Sequence, residues 1–260
     1  MKLSAFTAVR NAIRRGCPLL EVAAAGIPFV DEWWWQDGFS TDGTWELLLE
    51  MSRVNPKIKL FQSKWNSFSP NGEAIGEAYE EARKRCQMEL CVMIQADTVF
   101  EADGLAKVSA AFTENPSLRS LAFLIVTMKS WTEIFDMSCW KGYRCWAGKM
   151  EFNPFVVADA ASLQCYQPMT KRSDIVLVNL GYLFPGNSAD KLSQSEAIFT
   201  FTSKKSVLSD ELDPVALLRD PSRITSIPYD PIQLPSFVRD LSGMSRYTVR
   251  RDIMDILRPA

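Results

Sequence analysis

Residues 29–44 read Phe29-Val30-Asp31-Glu32-Trp33-Trp34-Trp35-Gln36-Asp37-Gly38-Phe39-Ser40-Thr41-Asp42-Gly43-Thr44. The first seven are apolar apart from Asp31 and Glu32 and show no alternation, the pattern of a β-strand covered by helices on both faces. Asp37 falls just past the carboxyl end of that strand. Residues 40–44 then make a turn, from which a helix departs with Trp45, Leu48 and Met51 on one side.

The same rhythm extends in both directions. Residues 3–9 read as a preceding strand, followed by a helix with Ile13, Leu20 and residues 23–25 on its apolar side, interrupted at Gly16 and Pro18 and stopped by Gly26 and Pro28. Downstream, Asn55 and Pro56 end the second helix, and Ile58 and Leu60 mark a third strand. Ser69 and Pro70 supply an N-cap and first-turn proline for a helix carrying Ile75, Ala78, Tyr79 and Ala82, whose terminal Arg83, Lys84 and Arg85 complement the helix dipole. Residues 90–94 form a fourth strand, Leu105, Val108 and Phe112 another helix, and residues 121–128 a fifth strand. Alternating strands and helices predict βαβ units and a mainly parallel sheet flanked by helices. Beyond Lys129 the sequence becomes aromatic-rich and loop-like, with one more strand at 174–180 and a proline-punctuated tail after Asp213. The expected organisation is a regular half, 1–128, and an irregular region, 129–260, packed on the same domain.

Composition narrows the chemistry. A formal net charge of −2 offers no basic footprint for a nucleic-acid backbone. The chain contains no histidine, which removes His-dependent triads, imidazole metal sites and histidine bases together. Catalysis, if any, rests on carboxylates. Cys17, Cys86, Cys91, Cys139, Cys145 and Cys165 are scattered with no CxxC pair, as expected of buried thiols rather than zinc ligands or a disulfide scaffold. The first residues turn polar at Thr7 and basic at Arg10, unlike a signal peptide, and the longest apolar run, 121–128, is far short of the roughly 20 residues a spanning helix needs. A cytoplasmic protein with at most peripheral membrane contact is expected.

In open α/β sheets ligands bind in the crevice beyond the carboxyl ends of the strands. Three polar clusters fall at such ends: Thr7 to Asn11, Asp37 to Thr44, and Gln95-Ala96-Asp97. With Phe6-Thr7-Ala8-Val9-Arg10-Asn11, Asp37-Gly38-Phe39-Ser40-Thr41-Asp42-Gly43-Thr44 and Gln95-Ala96-Asp97 in this order and spacing, the chain resembles the family 2 glycosyltransferases of the GT-A fold. More narrowly, it is similar to a bacterial subgroup with Gln-Ala-Asp in place of Asp-Ala-Asp and a tryptophan after the third strand, matching Trp65. The likeness covers about residues 1–128.

That resemblance implies a hexosyltransferase moving a sugar from a nucleotide diphosphate donor to a glycan, lipid-linked or small-molecule hydroxyl, with residues 1–128 holding the donor and 129–260 the acceptor. It places Thr7, Val9 and Arg10 along the nucleobase and ribose, with Asn11, Gly38, Asp42, Gln95 and Ala96 beside them. Asp37 would accept a hydrogen bond from the base's imide N–H, and Asp97 would face the diphosphate through Mn²⁺ or Mg²⁺. Inverting transfer also needs a carboxylate base. Asp159, Glu133, Asp136 and Glu151 are candidates, and Asp159 is preferred because residues 155–158 read as a strand delivering it to the small-residue turn 160–162. The chain departs from the subgroup after Asp97, where Thr98-Val99-Phe100-Glu101 stands in place of a glutamate and, a few residues later, a histidine, and again over residues 178–184, where a further histidine is missing. Glu101 is the candidate to replace the missing acid and Asn179 to replace a histidine as hydrogen-bond donor, though neither reproduces proton transfer by imidazole. A second reading follows from those departures, a catalytically impaired GT-A-like module that binds sugar or nucleotide or serves assembly.

Two further clusters have alternative readings. Trp131, Trp140, Tyr143 and Trp146, interspersed with Lys141, Arg144 and Lys149, suit either a sugar-stacking platform or core packing. Arg246, Arg250, Arg251 and Arg258 alternate with Asp252, Ile253, Asp255 and Leu257 as on an amphipathic surface helix.

Overall fold

A computed structural model describes the chain except for residues 67–72, 137–140, 158–159, 161, 166–168, 182, 184–225, 245–248 and 260. Strand β1 (Leu3–Val9) is buried along its whole length. It is flanked in parallel by β2 (Glu32–Asp37) and β4 (Leu90–Met93), with β3 (Ile58–Gln62) outside β2. Helix α1 (Leu19–Gly26) links β1 to β2, α2 (Thr44–Val54) links β2 to β3, and α3 (Glu73–Arg83) precedes β4.

Side-chain alternation along these strands assigns the helices to faces. Phe6 meets Tyr79 of α3 edge-on, with ring centroids 6.3 Å apart. On the other face Trp33 lies against Gly26 at the end of α1 and stacks with Trp35 at 5.1 Å. The run of three tryptophans is thereby explained: Trp33 and Trp35 fill the α1 side, while Trp34 turns the other way onto Phe61 and the Arg85 guanidinium. β2 begins later than the sequence suggests, because Ile27–Phe29 wind into a 3-10 turn opened by Pro28.

After β5 (Thr98–Phe100) and α4 (Gly104–Glu114) come β6 (Ser120–Ser130), β7 (Glu133–Phe135), β8 (Lys141–Lys149), β9 (Phe155–Val157), β10 (Ser162–Gln164), β11 (Thr170–Asn179) and β12 (Ser226–Pro228). β8 runs antiparallel between β4 and β6, and β11 runs parallel to β6 while its end pairs with β5. The fold is therefore a mixed α/β one in which, among the described residues, a ten-stranded sheet is built on the parallel array β4-β1-β2-β3, with helices on its faces. The stretch after Lys129 is richer in strands than its sequence suggests. β8 hides its period because glycines stand at 142 and 148 and its pairing with β6 shifts register between Leu121 and Ala122.

Within β8, Trp146 is a core residue, whereas Tyr143 is exposed and carries the Arg172 guanidinium 5.1 Å from its ring centre. Trp131 is half-buried, and Trp140 lies outside the described residues. The C-terminal stretch is not the expected amphipathic helix: Asp252–Asp255 form a 3-10 turn. Ile253 and Leu257 are buried, the Asn55 side chain donates to Leu257 O at 2.5 Å, and Arg250 and Arg251 pair with Asp252 and Glu50. Arg258 pairs with Asp255 at 3.1 Å, and Arg246 lies outside the described residues. Among the described residues no helix is long and apolar enough to cross a membrane.

Of the described cysteines, Cys17, Cys86, Cys91 and Cys165 are buried and Cys145 is half-buried. Burial pushes the Cys86 thiol up to about 12 and that of Cys145 to about 11. In the unfolded chain thiols ionise near pH ~8.5. These groups therefore leave stability intact below that pH and withdraw it as pH rises toward their folded values. Thermal unfolding followed by circular dichroism should give a constant midpoint through neutral pH and a falling one above about pH 9.

Candidate functional site

The parallel register pairs Leu3 with Leu90 through to Phe6 with Met93, so β1 and β4 open at the same level. The Thr7 hydroxyl ties the two together below that opening by donating to Ile94 O at 2.7 Å. A cleft of about 180 Å³ lies there. Val9, Arg10 and Arg15 come to it from β1 and the turn that follows, and Gln95, Ala96 and Asp97 from the end of β4. Trp65 after β3 and Ile75 and Tyr79 of α3 complete the walls. The volume is below the roughly 300–1,000 Å³ of whole-ligand pockets and suits part of a nucleotide.

Five of the residues singled out from the sequence, Val9, Arg10, Gln95, Ala96 and Asp97, thus line one cleft. Thr7, Asn11, Asp37, Gly38 and Asp42 belong to β1, β2 and the turns that follow them. Thr7 is fully buried and its hydroxyl also accepts from the Trp33 indole at 2.9 Å. Asp37 is fully buried. Its Oδ2 accepts from Ser40 N at 3.0 Å and Gln62 Nε2 at 2.8 Å, and its Oδ1 from Ser40 Oγ at 2.5 Å. Ser40 Oγ in turn accepts from Asn11 N at 2.8 Å, and Asn11 Oδ1 accepts from Thr41 N at 2.9 Å. Just before the N-cap Gly43, the Asp42 carboxylate accepts from Thr44 N at 3.0 Å and from Arg14 N at 2.7 Å. Asp37, Asn11 and Asp42 therefore stitch the turn after β1 to the turn after β2, which fixes where Arg10 and Arg15 begin.

Asp97 is 9% exposed. Its Oδ1 accepts from Asn179 Nδ2 at 3.0 Å, and its carbonyl oxygen accepts from Leu180 N at 2.7 Å. Asn179, at the end of β11, so supplies the donor expected of it and brings the later part of the chain to the acidic corner. Burial, with the nearby Asp97 carboxylate, raises the Tyr79 phenol above its ordinary value, so it stays protonated through the physiological range. Glu101 turns to another task and accepts from the Tyr229 hydroxyl at 2.8 Å. Replacing Asn179 with alanine removes a charge-assisted bond at a buried carboxylate and should cost about 1.5–3 kcal/mol of stability in denaturant titration.

Asp97 is the one carboxylate among the described residues lining the cleft, and no three His, Cys, Asp or Glu side chains gather among those residues to hold a metal. This donor set does not suit a resident structural ion. It does suit Mn²⁺ or Mg²⁺ carried in on phosphates, for which one or two carboxylates suffice. Of the proposed bases, Asp159 lies outside the described residues. Glu151 pairs loosely with Lys149 at 3.7 Å, next to the β4 start and so at the end of the sheet away from the cleft. Glu133 accepts from Ser226 Oγ at 2.9 Å, and Asp136 is exposed just after β7.

Arg15, Ile75 and Tyr79 were not foreseen as cleft residues. Ile75 and Tyr79 share a helical face four residues apart, which reads as core packing; Tyr79 is buried and Ile75 half-buried, and their place in the cleft wall depends on how α3 sits across β1 and β4.

No family model and no curated protein matches the chain. Among solved structures it is similar to a 1–349 piece of S. aureus TarS, at 22% identity over 50% of this chain and 36% of that one, with a TM-score of 0.37. The same piece in complex with UDP-GlcNAc gives 14% identity over 83% and 70%, with a TM-score of 0.44. A mannosyltransferase from Pyrobaculum calidifontis in complex with GDP-Man and Mn²⁺ gives 16% identity over 78% and 63%, with a TM-score of 0.49. The chain spans 22% of the longer S. aureus TarS.

Proposed function

We propose that the chain is a GT-A-type glycosyltransferase of family 2 character that binds a nucleotide diphosphate sugar in the cleft between β1 and β4. The observation that carries this is the convergence, from separate strands, of a basic pair, Arg10 and Arg15, an aromatic wall, Trp65, and one buried acid, Asp97. These are the groups a nucleotide diphosphate requires: a surface for its base, positive charge for its phosphates, and an oxygen ligand for the cation that accompanies them.

In this proposal Val9, Arg10, Gln95 and Ala96 contact the donor directly. Thr7, Asn11, Gly38 and Asp42 shape its surroundings, and Asp37 acts through the loop it holds. Asp97 would hold Mn²⁺ or Mg²⁺ arriving with the diphosphate, and the ion would supply neutralisation of charge on the leaving nucleotide. Arg10 and Arg15 add to that neutralisation. Asp159 takes the proton of the attacking acceptor hydroxyl, consistent with inversion at the anomeric carbon, while the bond from that carbon to the diphosphate oxygen breaks. The acceptor, a glycan, lipid-linked or small-molecule hydroxyl, enters from the side built by residues after 129. The protein acts in the cytoplasm.

Incubation with UDP- and GDP-sugars and chromatographic detection of released UDP or GDP tests this reading. Release that requires Mn²⁺ and disappears in Asp159→Asn is expected. Glu101, engaged with Tyr229, and Thr98 leave Asp97 without a carboxylate neighbour among the described residues that line the cleft, which favours a second reading as a nucleotide-sugar-binding module. Nucleotide binding with no release from any donor would select that second reading over the first.

A further inference from the structure

Trp65 stands outside the core at the wall of the cleft, yet it is held there by more interactions than a surface aromatic needs. Its indole N–H donates to Gln36 Oε1 at 2.8 Å. Gln36 is fully buried, and its amide nitrogen donates to both Ser63 O and Ser63 Oγ at 2.9 Å. The indole is a donor only and the Ser63 carbonyl an acceptor only, so the amide has one orientation that satisfies all its partners.

Gly38 belongs to the same device. Among the described residues Gly16 and Gly43 are the glycines at positive φ, and Gly38 is not, so its backbone does not call for glycine. A Cβ at position 38 would lie 2.7 Å from Trp65 Nε1 and 2.9 Å from Cδ1. The indole therefore rests directly on the backbone after β2, and the bare Cα is what admits it.

Resting on the nucleotide-binding reading above, we propose that Trp65 is the stacking platform for the nucleobase, its angle set by Gln36 and Gly38. The order of the strands fits this: Trp65 follows β3, Gly38 beneath it donates its N–H to Val9 O at the end of β1 at 2.8 Å, and Asp97 follows β4 on the far side of β1. Stacking uses the π-face that every base possesses, so the platform provides affinity for nucleoside diphosphates without dictating which base. Asp37, whose oxygens hold the loop, leaves the base to be gripped mainly by its face.

Titration calorimetry with UDP, GDP and inorganic pyrophosphate, each with Mn²⁺, separates the base from the phosphates. Trp65→Ala is expected to weaken UDP and GDP by about tenfold or more, with pyrophosphate unchanged. Trp65→Phe, which keeps an aromatic face, should retain most of the affinity. Gly38→Ala should weaken the nucleotides and spare pyrophosphate while leaving the protein folded by circular dichroism. Nucleotide affinity unaltered in Trp65→Ala, or equal losses for nucleotides and pyrophosphate, would overturn the platform alone. A wild-type protein that binds neither nucleotide would overturn the functional reading and the platform with it.

Discussion

Replacing Asp97 with alanine is expected to abolish the Mn²⁺-dependent part of nucleotide binding. The carboxylate lines the cleft and is nearly buried, so its charge acts on a bound diphosphate with little screening from water. Without metal that charge repels phosphate. With Mn²⁺ present, Asp97 would help hold the cation, which would offset the charge of the phosphates. The sign of the effect therefore depends on the ion: UDP or GDP affinity should fall roughly tenfold to a hundredfold in the presence of Mn²⁺, the worth of one charge-assisted contact, and stay equal or rise in its absence. A loss of equal size with and without Mn²⁺, measured by calorimetry, would assign Asp97 to holding Asn179 and Leu180 in place instead.

The second large effect is on stability. Trp33 is fully buried, stacks on Trp35, donates its indole N–H to Thr7 and fills the space opposite Gly26. Trp33→Ala should cost about 3–5 kcal/mol, because it opens a cavity and leaves Thr7 short of a donor. Gly26→Ala attacks the same contact from the helix. A Cβ there would lie 2.5 Å from Trp33 Cζ3, a clash between a helix backbone and a ring that the filled core holds in place. Each variant should lower Tm by roughly 10 °C in calorimetric scans. The double variant should cost less than the sum, since removing the ring vacates the space the new methyl needs.

How much of this could be read from the sequence depends on the distance over which each feature is decided. β1 falls at Leu3–Val9 as its composition indicates, and α4 falls where Leu105, Val108 and Phe112 place it. Both are settled by local pattern. The position of β8 between β4 and β6 is not local: it pairs Leu90 with Lys149 after β5, α4, β6 and β7 have intervened, and no short-range signal encodes a partner so far away. The same division runs through the site. The strand-end rule located Arg10 and Asp97 on one cleft, because parallel neighbours open at one level. It could not tell which side chain at a strand end faces outward. All seven residues of β1 are buried, so Thr7 carries no exposure pattern to show that it points into the core. Asp37 is occupied by Gln62, its register partner on the neighbouring strand β3, and Trp65 is held at the cleft by Gln36, Ser63 and Gly38, which meet there.

Calorimetric titration of the intact chain with UDP and with GDP, each with and without Mn²⁺, tests the nucleotide site most directly. The account predicts saturable one-to-one binding of at least one of them, strengthened by Mn²⁺. No heat of binding from either nucleotide up to millimolar concentration, in the presence of Mn²⁺, would contradict it.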